Sequence, residues 1–445
     1  MKIAILEQEI KGLILELLRP WNYCITNADE ADIVIARGDV SSITERAIII
    51  PSESEEFGSF VKSNHFGHSK KETGQQVQVP VTENLALTIT PESLYAYGIS
   101  RNCEHSKYAI SIDDSLSVLK IDIVAEYYRI LNETFNAKPS ARYRLFTSLP
   151  ISYTKAPKFL RDMVIAKNLH ISHINYRDKL PFDALRFVLV RTIERITKEK
   201  MELAQFSKKK RVYLLTHDID TREGLNRASR VKKIEEKYDV ASTWFVPSNQ
   251  FLLNPDLLAE LANNGELGAH DTKHDGKLAC LHGLRLAERL QRARRTLEKI
   301  AGCSVRGFRA PLLQHNFAIL EALENASYTY DSSTPTFEPN YPRTMGPHGI
   351  GTVYPIKLCG IWEIPVTIIQ DHQLLYTLGL KPKEMMTVWE DTASFINTLG
   401  GCCVTLSHPE YKLFDADNIS FYEEFLGRIT ADKNNEIVTS SNIIC

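Results

Sequence analysis

The chain has 445 residues, of which 43% are hydrophobic and 24% are charged. A chain of this length and composition forms a soluble globular protein of about two or three domains, each with a core of its own. Its 53 basic and 55 acidic residues leave a net charge of -2, so the charge balance gives no attraction to nucleic acid or to an anionic membrane.

Charged residues interrupt the N-terminal segment MKIAILEQEIKGLILELLRPW throughout. It therefore has neither the apolar core of a signal peptide nor the roughly 20 apolar residues of a membrane span, and no later stretch has them. The eight cysteines are scattered without a CxxC pair, which favours reduced thiols over a disulfide framework or a thiolate zinc site. We expect a cytoplasmic protein that does not insert into membranes.

Residues 1–205 predict an accessory α/β region. Short apolar runs indicate strands, and longer runs with three-to-four spacing indicate helices. The strands fall in ADIVIA (31–36) and RAIIIP (46–51), and the helices in KIDIVAEYYRILNETF (120–135) and ALRFVLVRTIERITKEKMELAQF (184–206). No catalytic cluster stands out here, and both the role of this region and a second division near residue 95 stay open.

Two polar stretches punctuate the chain. The tract at 52–76 predicts a long surface loop, and SKKKR at 207–211 marks the best domain boundary because it separates a helical pattern from a strand pattern. A solvated linker explains the SKKKR charges more simply than a phosphate contact does. The pair HISH at 170–173 has no carboxylate or third histidine nearby, so ordinary partly buried histidines are favoured over a ligand site.

From residue 207 onward, strand-like and helical segments alternate. The strands are predicted in VYLLT (212–216), STWFV (242–246), ELGAH (266–270), RGFRA (306–310), TYDSS (329–333), IWEIPV (361–366) and CVTLSH (403–408). The clearest helix, GLRLAERLQRARRTLEKIAG, has an apolar stripe and ends at Gly302. This alternation predicts a parallel sheet of about seven α/β units that closes into a barrel over residues 207–445.

Ionisable residues follow nearly every predicted strand, which a purely structural barrel would have no reason to show. They are His217, Asp218, Asp220, His270, His274, Arg309, Asp331, Glu363 and His408. Two carboxylates at the end of a buried strand need a positive partner. Two imidazoles and one carboxylate are a normal ligand set for a catalytic divalent metal, so the coincidence of DxD with HxxxH favours a metal site over either motif alone.

In their order along the chain, these motifs resemble the polysaccharide deacetylases with a NodB-homology domain. The matching segments are LLTHDID (214–220), HDTKH (270–274), GFRAP (307–311), YDSS (330–333), IWEIPV (361–366) and TLSHPEY (405–411). The ordered set is specific, although each motif alone is weak. The resemblance covers residues 207–445 and implies a distorted (β/α) barrel with fewer than eight units.

Carried over residue by residue, the resemblance implies a divalent metal, most simply Zn²⁺, held by Asp220, His270 and His274. It makes Asp218 the general base, Arg309 the residue that orients this base, and His408 the general acid. Contacts to the substrate or to an oxyanion are assigned to Leu312, Asp331 and Glu363. The alternative for Arg309 is a purely structural ion pair. The alternative for His408 is a hydrogen-bonded histidine at a strand end that has no catalytic role.

Two positions depart from the family pattern. Members usually have adjacent aspartates after an aromatic residue, whereas here Ile219 separates the pair and His217 precedes it, so either aspartate could be the metal ligand. Leu312 stands where many members have a tyrosine, so a ring that contacts substrate is lost, although the backbone N–H could still face an oxyanion.

The function implied is a metal-dependent hydrolase that removes an acetyl group from an N-acetylated sugar or glycan intermediate made inside the cell. One alternative keeps the barrel and hydrolyses a non-carbohydrate amide or imide. A second alternative is a catalytically silent glycan-binding or scaffold module. Because no candidate residue precedes 207, residues 207–445 are expected to hold the whole site; the native metal and the oligomeric state stay open.

Overall fold

The computed structural model describes residues 1–37, 46–51, 70–72, 75–91, 94–96, 104–105, 109–111, 115–148, 176–203 and 211–444. Most of the tract at 52–76, the SKKK of the predicted boundary and HISH at 170–173 lie outside the described residues. The chain separates into two compact units, Met1–Glu133 with Tyr176–Gln205 and Thr134–Asn175 with Phe206–Cys445. In the described ranges, no helix has the length and apolar character needed to cross a lipid bilayer.

The first unit contains a seven-stranded sheet in the order β2-β1-β3-β4-β11-β10-β9. The strands of this unit include two separate antiparallel pairs, β5 with β8 and β6 with β7. In chain order the strands are β1 (Lys2–Ile5), β2 (Cys24–Ile25), β3 (Ile33–Arg37), β4 (Ala47–Ile50), β5 (Lys70–Glu72), β6 (Val77–Thr82), β7 (Leu85–Ile89), β8 (Leu94–Ala96), β9 (Glu104–His105), β10 (Ala109–Ser111) and β11 (Leu116–Leu119). The first five strands of the large sheet are parallel, and β10 and β9 are antiparallel. The predicted strands at 31–36 and 46–51 are its central members.

The first four helices are α1 (Gln8–Leu18), α2 (Ile123–Phe135), α3 (Ala141–Ser148) and α4 (Pro181–Thr197). Helix α4 begins with a proline in its first turn, where the missing N–H costs nothing, and ends at Lys198, whose φ of 61° leaves the helical region. It is therefore shorter than the run predicted at 184–206. The fully buried Arg186 of α4 donates to the carbonyl oxygens of Glu16 (2.5 Å) and Leu17 (3.0 Å), which satisfies the C-terminal end of α1.

All seven strands predicted after residue 207 are present, and they are parallel in the order β20-β16-β15-β14-β13-β12-β21. The strands of this second unit are β12 (Arg211–Asp218), β13 (Ser242–Val246), β14 (Glu266–Ala269), β15 (Gly307–Phe308), β16 (Tyr330–Asp331), β17 (Glu338–Tyr341), β18 (Gly346–His348), β19 (Ile356–Leu358), β20 (Ile361–Glu363), β21 (Cys402–Ser407) and β22 (Asn435–Ile437). Strand β19 pairs with β20 in antiparallel orientation, so the sheet is mixed. Seven of the eight residues of β12 are buried, as expected for a parallel strand covered on both faces.

The sheet curls into a distorted barrel that is not closed by a strand ladder. In the described part of the chain, no ladder joins β21 to β20. The segment after β20 closes the gap instead: the Thr367 hydroxyl donates to the carbonyl of Cys402 and accepts from the Val404 N–H, both at 2.7 Å, and the Ile368 N–H donates to the Val404 carbonyl at 3.1 Å. The structure thus confirms the predicted distorted barrel. The sheet itself forms a half-barrel, and a loop segment closes the remaining side.

Helices cover the outside of this sheet. They are α5 (Arg222–Lys237), α6 (Pro255–Ala262), α7 (Gly283–Ala301), α8 (Phe317–Asn325), α9 (Pro382–Leu399) and α10 (Ile419–Ala431). The predicted stripe of α7 is buried at Leu286, Leu290, Ala293 and Leu297, and the helix ends at Gly302, whose φ of 69° favours glycine. Thr221 caps the N-terminus of α5, where its side chain accepts from the Gly224 N–H, so Asp218 ends β12 and Asp220 lies in the short turn between β12 and α5.

Candidate metal centre

Three side chains meet at the carboxyl ends of β12 and β14. Asp220 follows β12, and His270 and His274 follow β14. The Nε2 atom of His270 lies 3.2 Å from Asp220 Oδ1, and that of His274 lies 3.3 Å from Asp220 Oδ2. All three residues are buried, and one ligand atom from each lies within 4.8 Å of the others. One carboxylate and two imidazoles that converge in this way fit a divalent metal ion.

The tautomer of His270 agrees with a ligand role. Its Nδ1 lies 2.8 Å from the carbonyl oxygen of Arg309, which can only accept, so Nδ1 carries the proton. Nε2, the remaining ring nitrogen, faces Asp220 and is the atom that can offer a lone pair to a metal. Metal-binding histidines commonly donate their second N–H to a carbonyl in this manner, which fixes the orientation of the ring.

The charge states of Asp220 and His274 match those of metal ligands, whereas Asp218 and Asp220 outweigh burial at His270 and raise the pKa of that ring. Burial alone would raise the pKa of Asp220, but His274, His270 and His408 outweigh it and hold that pKa well below its usual range. Burial lowers the pKa of His274, with Asp220 opposing this effect. An ionised carboxylate beside a neutral imidazole is the protonation state that metal binding requires.

Asp218 is held beside the triad by a fully buried arginine. Its Oδ1 accepts from Nη1 of Arg309 at 3.0 Å, and its Oδ2 lies 3.8 Å from His270 Nε2. Arg309 also donates to the Thr216 hydroxyl (2.7 Å) and to the carbonyl (2.8 Å) and hydroxyl (2.7 Å) of Ser332. With the guanidinium fixed at these points, one oxygen of Asp218 is anchored and the other faces the triad.

His408 lies beside Asp220, whereas Asp218 lies beside His270, and the His408 ring is held by Asp371. Its Nδ1 is 2.7 Å from Asp371 Oδ1, its backbone N–H donates to Asp371 Oδ2 at 2.8 Å, and its Nε2 is 3.8 Å from Asp220 Oδ2. Burial would lower the pKa of His408, but Asp371 and, less strongly, Asp220 and Asp218 raise it to about 10. The ring is thus a charged donor. Sequence reasoning missed Asp371, although this carboxylate ends the apolar run VTIIQD (366–371).

The structure places Asp331 and Glu363 outside the cavity lining, so the geometry gives no support to the prediction that they contact substrate or an oxyanion. Both side chains are fully buried, on paired residues of β16 and β20. Asp331 accepts from the Ser333 hydroxyl at 2.5 Å, and Glu363 accepts from the Thr334 N–H at 3.0 Å. Burial raises the pKa of Asp331 to about 6 and that of Glu363 well above its usual value. These carboxyl groups therefore hold Ser333 and Thr334 in place, next to Ser332, whose oxygens accept from Arg309.

His217 also lies outside the site. Its Nε2 is 2.7 Å from Glu235 Oε1, its Nδ1 is 2.9 Å from the Ser407 hydroxyl, and its ring stacks on Trp244 with centroids 4.2 Å apart. Successive residues of a strand point to opposite faces, so Asp218 faces the barrel and His217 faces the covering helices. The altered first motif therefore places a structural histidine next to the candidate base.

Leu312 lies at the site in an unusual backbone conformation. Its φ of 59° and ψ of 23° fall in the left-handed region, which costs a residue with a side chain about 1 kcal/mol or more. In the described part of the chain, nothing accepts a hydrogen bond from its N–H. A strained residue with a free donor beside a metal-binding group is an arrangement suited to holding an oxyanion.

A cavity of about 150 Å³ connects these groups. Its polar wall consists of Asp218, Asp220, Thr221, His270, His274 and His408, and its apolar wall includes Leu312, Leu313, Pro342 and Leu406. The remaining lining residues are Gln370, His372, Gln373, Glu410 and Tyr411. The predicted metal ligands, base and acid, with Leu312, thus all face one space at the carboxyl ends of the strands.

Residues that precede the barrel strands approach the rim of this site. Tyr143 of α3 belongs to the same compact unit as the barrel, and its hydroxyl donates to the Gly276 carbonyl at 3.2 Å. Gln314 donates to the same carbonyl at 2.7 Å and to the Tyr143 hydroxyl. A barrel cut at residue 207 would lose this contact, which supports the loop that follows His274.

Gln250 joins the two segments that carry the candidate ligands. Its Nε2 donates to the Asp220 carbonyl at 2.8 Å, and its Oε1 accepts from the His274 N–H at 2.5 Å. Arg289 holds the second segment from the other side through two hydrogen bonds, of 2.8 and 2.6 Å, to Asp271. Neither residue was identified from the sequence, because nothing in a lone glutamine after a strand or an arginine on a helix indicates its partner.

We expect Gln250→Met to weaken metal binding about 10-fold to 100-fold, the usual effect of removing a group that orients metal ligands. Methionine keeps the length of the side chain but loses both hydrogen bonds. The measurement is competition for the metal with a chelator of known affinity. Asn249→Ala, at the exposed neighbouring position, is the matched control. Equal affinities for both variants would show that Gln250 does not position the ligands.

Comparisons with known proteins identify the barrel segment. Residues 206–330 match the family described as Polysaccharide deacetylase, which confirms the resemblance over that range. They therefore form a polysaccharide deacetylase family domain. The matched range contains the candidate ligands, Asp218 and Arg309, and ends before His408.

The solved structures that match this chain share little sequence with it. A Mycobacterium smegmatis protein assigned as a polysaccharide deacetylase is 20% identical, with a TM-score of 0.45 over 53% of this chain and 90% of that chain. The allantoinase PuuE is 14% identical, with a TM-score of 0.42 over 53% and 89% of the two chains. A CE4 family pseudoenzyme from Bacillus anthracis is 14% identical, with a TM-score of 0.35 over 50% and 63%. No curated protein matches this chain in sequence.

Proposed function

We propose that the protein is a metal-dependent deacetylase that releases acetate from an N-acetylated sugar or glycan. The observation that carries this proposal is that Asp218 and His408 each lie beside a different member of the buried group of Asp220, His270 and His274. The family of residues 206–330 supports the choice of an acetylated glycan as substrate. We propose Zn²⁺ as the metal because its usual ligands are imidazole nitrogens and carboxylate oxygens.

Asp220, His270 and His274 would hold the metal, which would supply Lewis-acid activation of a water molecule and of the acetyl oxygen. The histidines keep Asp220 ionised, and a carboxylate engaged by a cation is a poor proton acceptor. Asp218 accepts the proton of the attacking water, because Arg309 anchors its Oδ1 while its Oδ2 faces the site. We therefore assign Asp220 as the metal ligand and Asp218 as the general base.

Two further groups complete the reaction. The Leu312 N–H donates to the oxygen that becomes negative when water adds to the acetyl carbon. His408 gives its Nε2 proton to the departing amine, and Asp371 fixes the ring and keeps it protonated until that step. A module that only binds glycans needs no proton donor opposite a metal site, so this pair favours an enzyme over a silent scaffold.

The test is metal analysis of the purified protein combined with assays of acetate release from N-acetylhexosamine oligomers and ring opening of cyclic imides. We expect about one divalent ion per chain and acetate release that is lost in Asp218→Asn. Imide opening without acetate release would replace the proposal with the alternative amide or imide hydrolase. Bound metal without turnover of any amide, imide or activated ester would identify a silent binding module.

A further inference from the structure

Two consecutive leucines in the turn Pro311–Leu313 have left-handed backbone. Leu312 has a φ of 59° and Leu313 a φ of 51°. Glycine adopts this conformation freely, whereas a side chain makes it unfavourable, so two such residues in succession persist only where their surroundings enforce them. The turn carries the Leu312 N–H, the donor that the proposed function assigns to the oxyanion. The position of that donor therefore depends on the groups that hold the turn.

The side chain of Leu313 gives a reason for a leucine at this strained position. It is buried in an apolar cluster with Tyr341, Val366 and Leu406. Glycine would relieve the backbone at this position, but it would leave a cavity in the cluster. The leucine thus contributes to the core, and other groups must hold its backbone in the left-handed conformation.

Two buried side chains hold the carbonyl group of Leu313. The Nδ1 atom of His315 lies 2.8 Å from this oxygen, and the Tyr341 hydroxyl donates to it at 3.1 Å. The Leu313 N–H donates to the Ala310 carbonyl at 3.0 Å, so the peptide groups on both sides of the Leu313 Cα are fixed. His315 and Tyr341 are each 1% exposed, and their rings stack with centroids 5.1 Å apart. Because both donors are buried, water cannot readily replace either of them.

A second histidine fixes the proton of His315 on the nitrogen that faces Leu313. The Ser333 carbonyl also lies 3.3 Å from Nδ1 of His315, and since a carbonyl only accepts, Nδ1 carries the proton. Burial and, less strongly, His348 lower the pKa of His315 to about 3, so the ring is neutral at pH 7 and its Nε2 is an acceptor. The Nε2 atom of His348 lies 2.9 Å from it and therefore donates. His348, at the end of β18, thus selects the tautomer in which His315 holds Leu313.

We infer that His315, Tyr341 and His348 are positioning residues for the oxyanion donor. In the proposed function, on which this inference rests, the Leu312 N–H donates to the oxygen that becomes negative. The three side chains lie outside the cavity lining, so they act through the backbone of the turn and not by touching substrate. A donor that its neighbours hold in place needs no reorganisation when the oxyanion forms. Release of the turn should therefore lower kcat and leave KM nearly unchanged.

The test compares two substitutions of His315 that place an amide N–H differently. Asparagine carries its nitrogen at the position of Nδ1 and keeps a donor to the Leu313 carbonyl, whereas glutamine carries it at the position of Nε2. Both remove the ring, so the loss of packing is common to the pair. We expect His315→Gln to lower kcat about 10-fold to 100-fold, because the oxyanion donor is displaced, with KM and metal content unchanged. His315→Asn should recover most of this loss, and Tyr341→Phe, which removes only the hydroxyl, should lower kcat about twofold to tenfold.

The choice of substrate separates this effect from a defect in the proposed acid. The fall in kcat should be the same on an N-acetylglucosamine oligomer and on trifluoroethyl acetate, since the oxyanion forms before either leaving group departs. A loss confined to the amide would point to protonation by His408 and would overturn the inference.

The binding of two small anions tests the turn without turnover. Methylphosphonate is tetrahedral and charged, like the intermediate, whereas acetate is planar. In metal-loaded protein we expect His315→Gln to weaken methylphosphonate binding about tenfold more than acetate binding, and His315→Asn to leave the ratio of the two affinities near the wild-type value. Equal kcat values and equal affinity ratios for the two variants would overturn the inference. If the wild-type protein releases acetate from neither compound, the proposed function fails, and the affinity ratios still decide whether His315 positions the turn.

Discussion

Asp220→Asn is expected to lose the metal and, with it, essentially all deacetylase activity. The carboxylate is the only anionic group among the three candidate ligands, and an amide would leave two neutral imidazoles to hold a divalent cation. Because the metal would supply the activation of water, metal content and turnover should fall together. The measurement is metal per chain after dialysis, alongside acetate release.

Asp218→Asn is expected to keep the metal, in contrast to Asp220→Asn. Its carboxylate is bonded to Arg309 rather than placed among the ligands, so this variant should retain the metal while its rate falls by a factor of about 10² to 10⁴, the usual contribution of a general base. Asp239→Asn is the matched control, since that carboxylate is exposed and asparagine tolerates its φ of 54°. The reverse pattern for Asp218 and Asp220 would mean that the two have exchanged roles.

His408→Ala is expected to lose far more activity on an N-acetyl sugar than on an aryl acetate. An amine leaves a tetrahedral intermediate only when it is protonated, whereas an activated phenolate leaves without help. A loss of about 10² to 10⁴ on the amide, with a much smaller loss on the ester and unchanged metal content, would identify the acid.

The simpler interpretation of His408 as a structural histidine predicts a different result. Removing a buried ring that bonds Asp371 would then reduce both activities equally through packing. Asp371→Asn separates these cases further, because it should shift the pH at which the amide reaction loses its protonated donor to lower values. Removing the carboxylate removes the main cause of the raised pKa of His408.

The sequence predicted the barrel because its signal is local. Each apolar run from VYLLT to CVTLSH forms its own strand, and the polar residue that follows it marks the carboxyl end. The direction of a side chain was harder to predict where strands are short: β16 has two residues and β20 has three, too few for alternation to show that Asp331 and Glu363 point into the core.

The residues that were missed belong to a different class. Gln250, Arg289 and Asp371 act through partners 24, 18 and 37 positions away along the chain, on other elements. No periodic pattern or short motif encodes such a pairing, because it arises only when loops pack against each other. The ligand and base assignments were left open for the same reason, since the choice between Asp218 and Asp220 depends on where Arg309 lies.

The loop that closes the barrel beside β21 leads directly into Asp371, while His408 ends β21 itself. The two hydrogen bonds from His408 to Asp371 therefore cross the same junction as those from Thr367 and Ile368. His408, the proposed proton donor, therefore also helps to hold the closing segment against β21. If the closing segment separates from β21, the proposed acid is lost from the site, while β12 and β14 still hold the metal-binding group together. Closure of the barrel at this junction is therefore required for amide cleavage but not for metal binding.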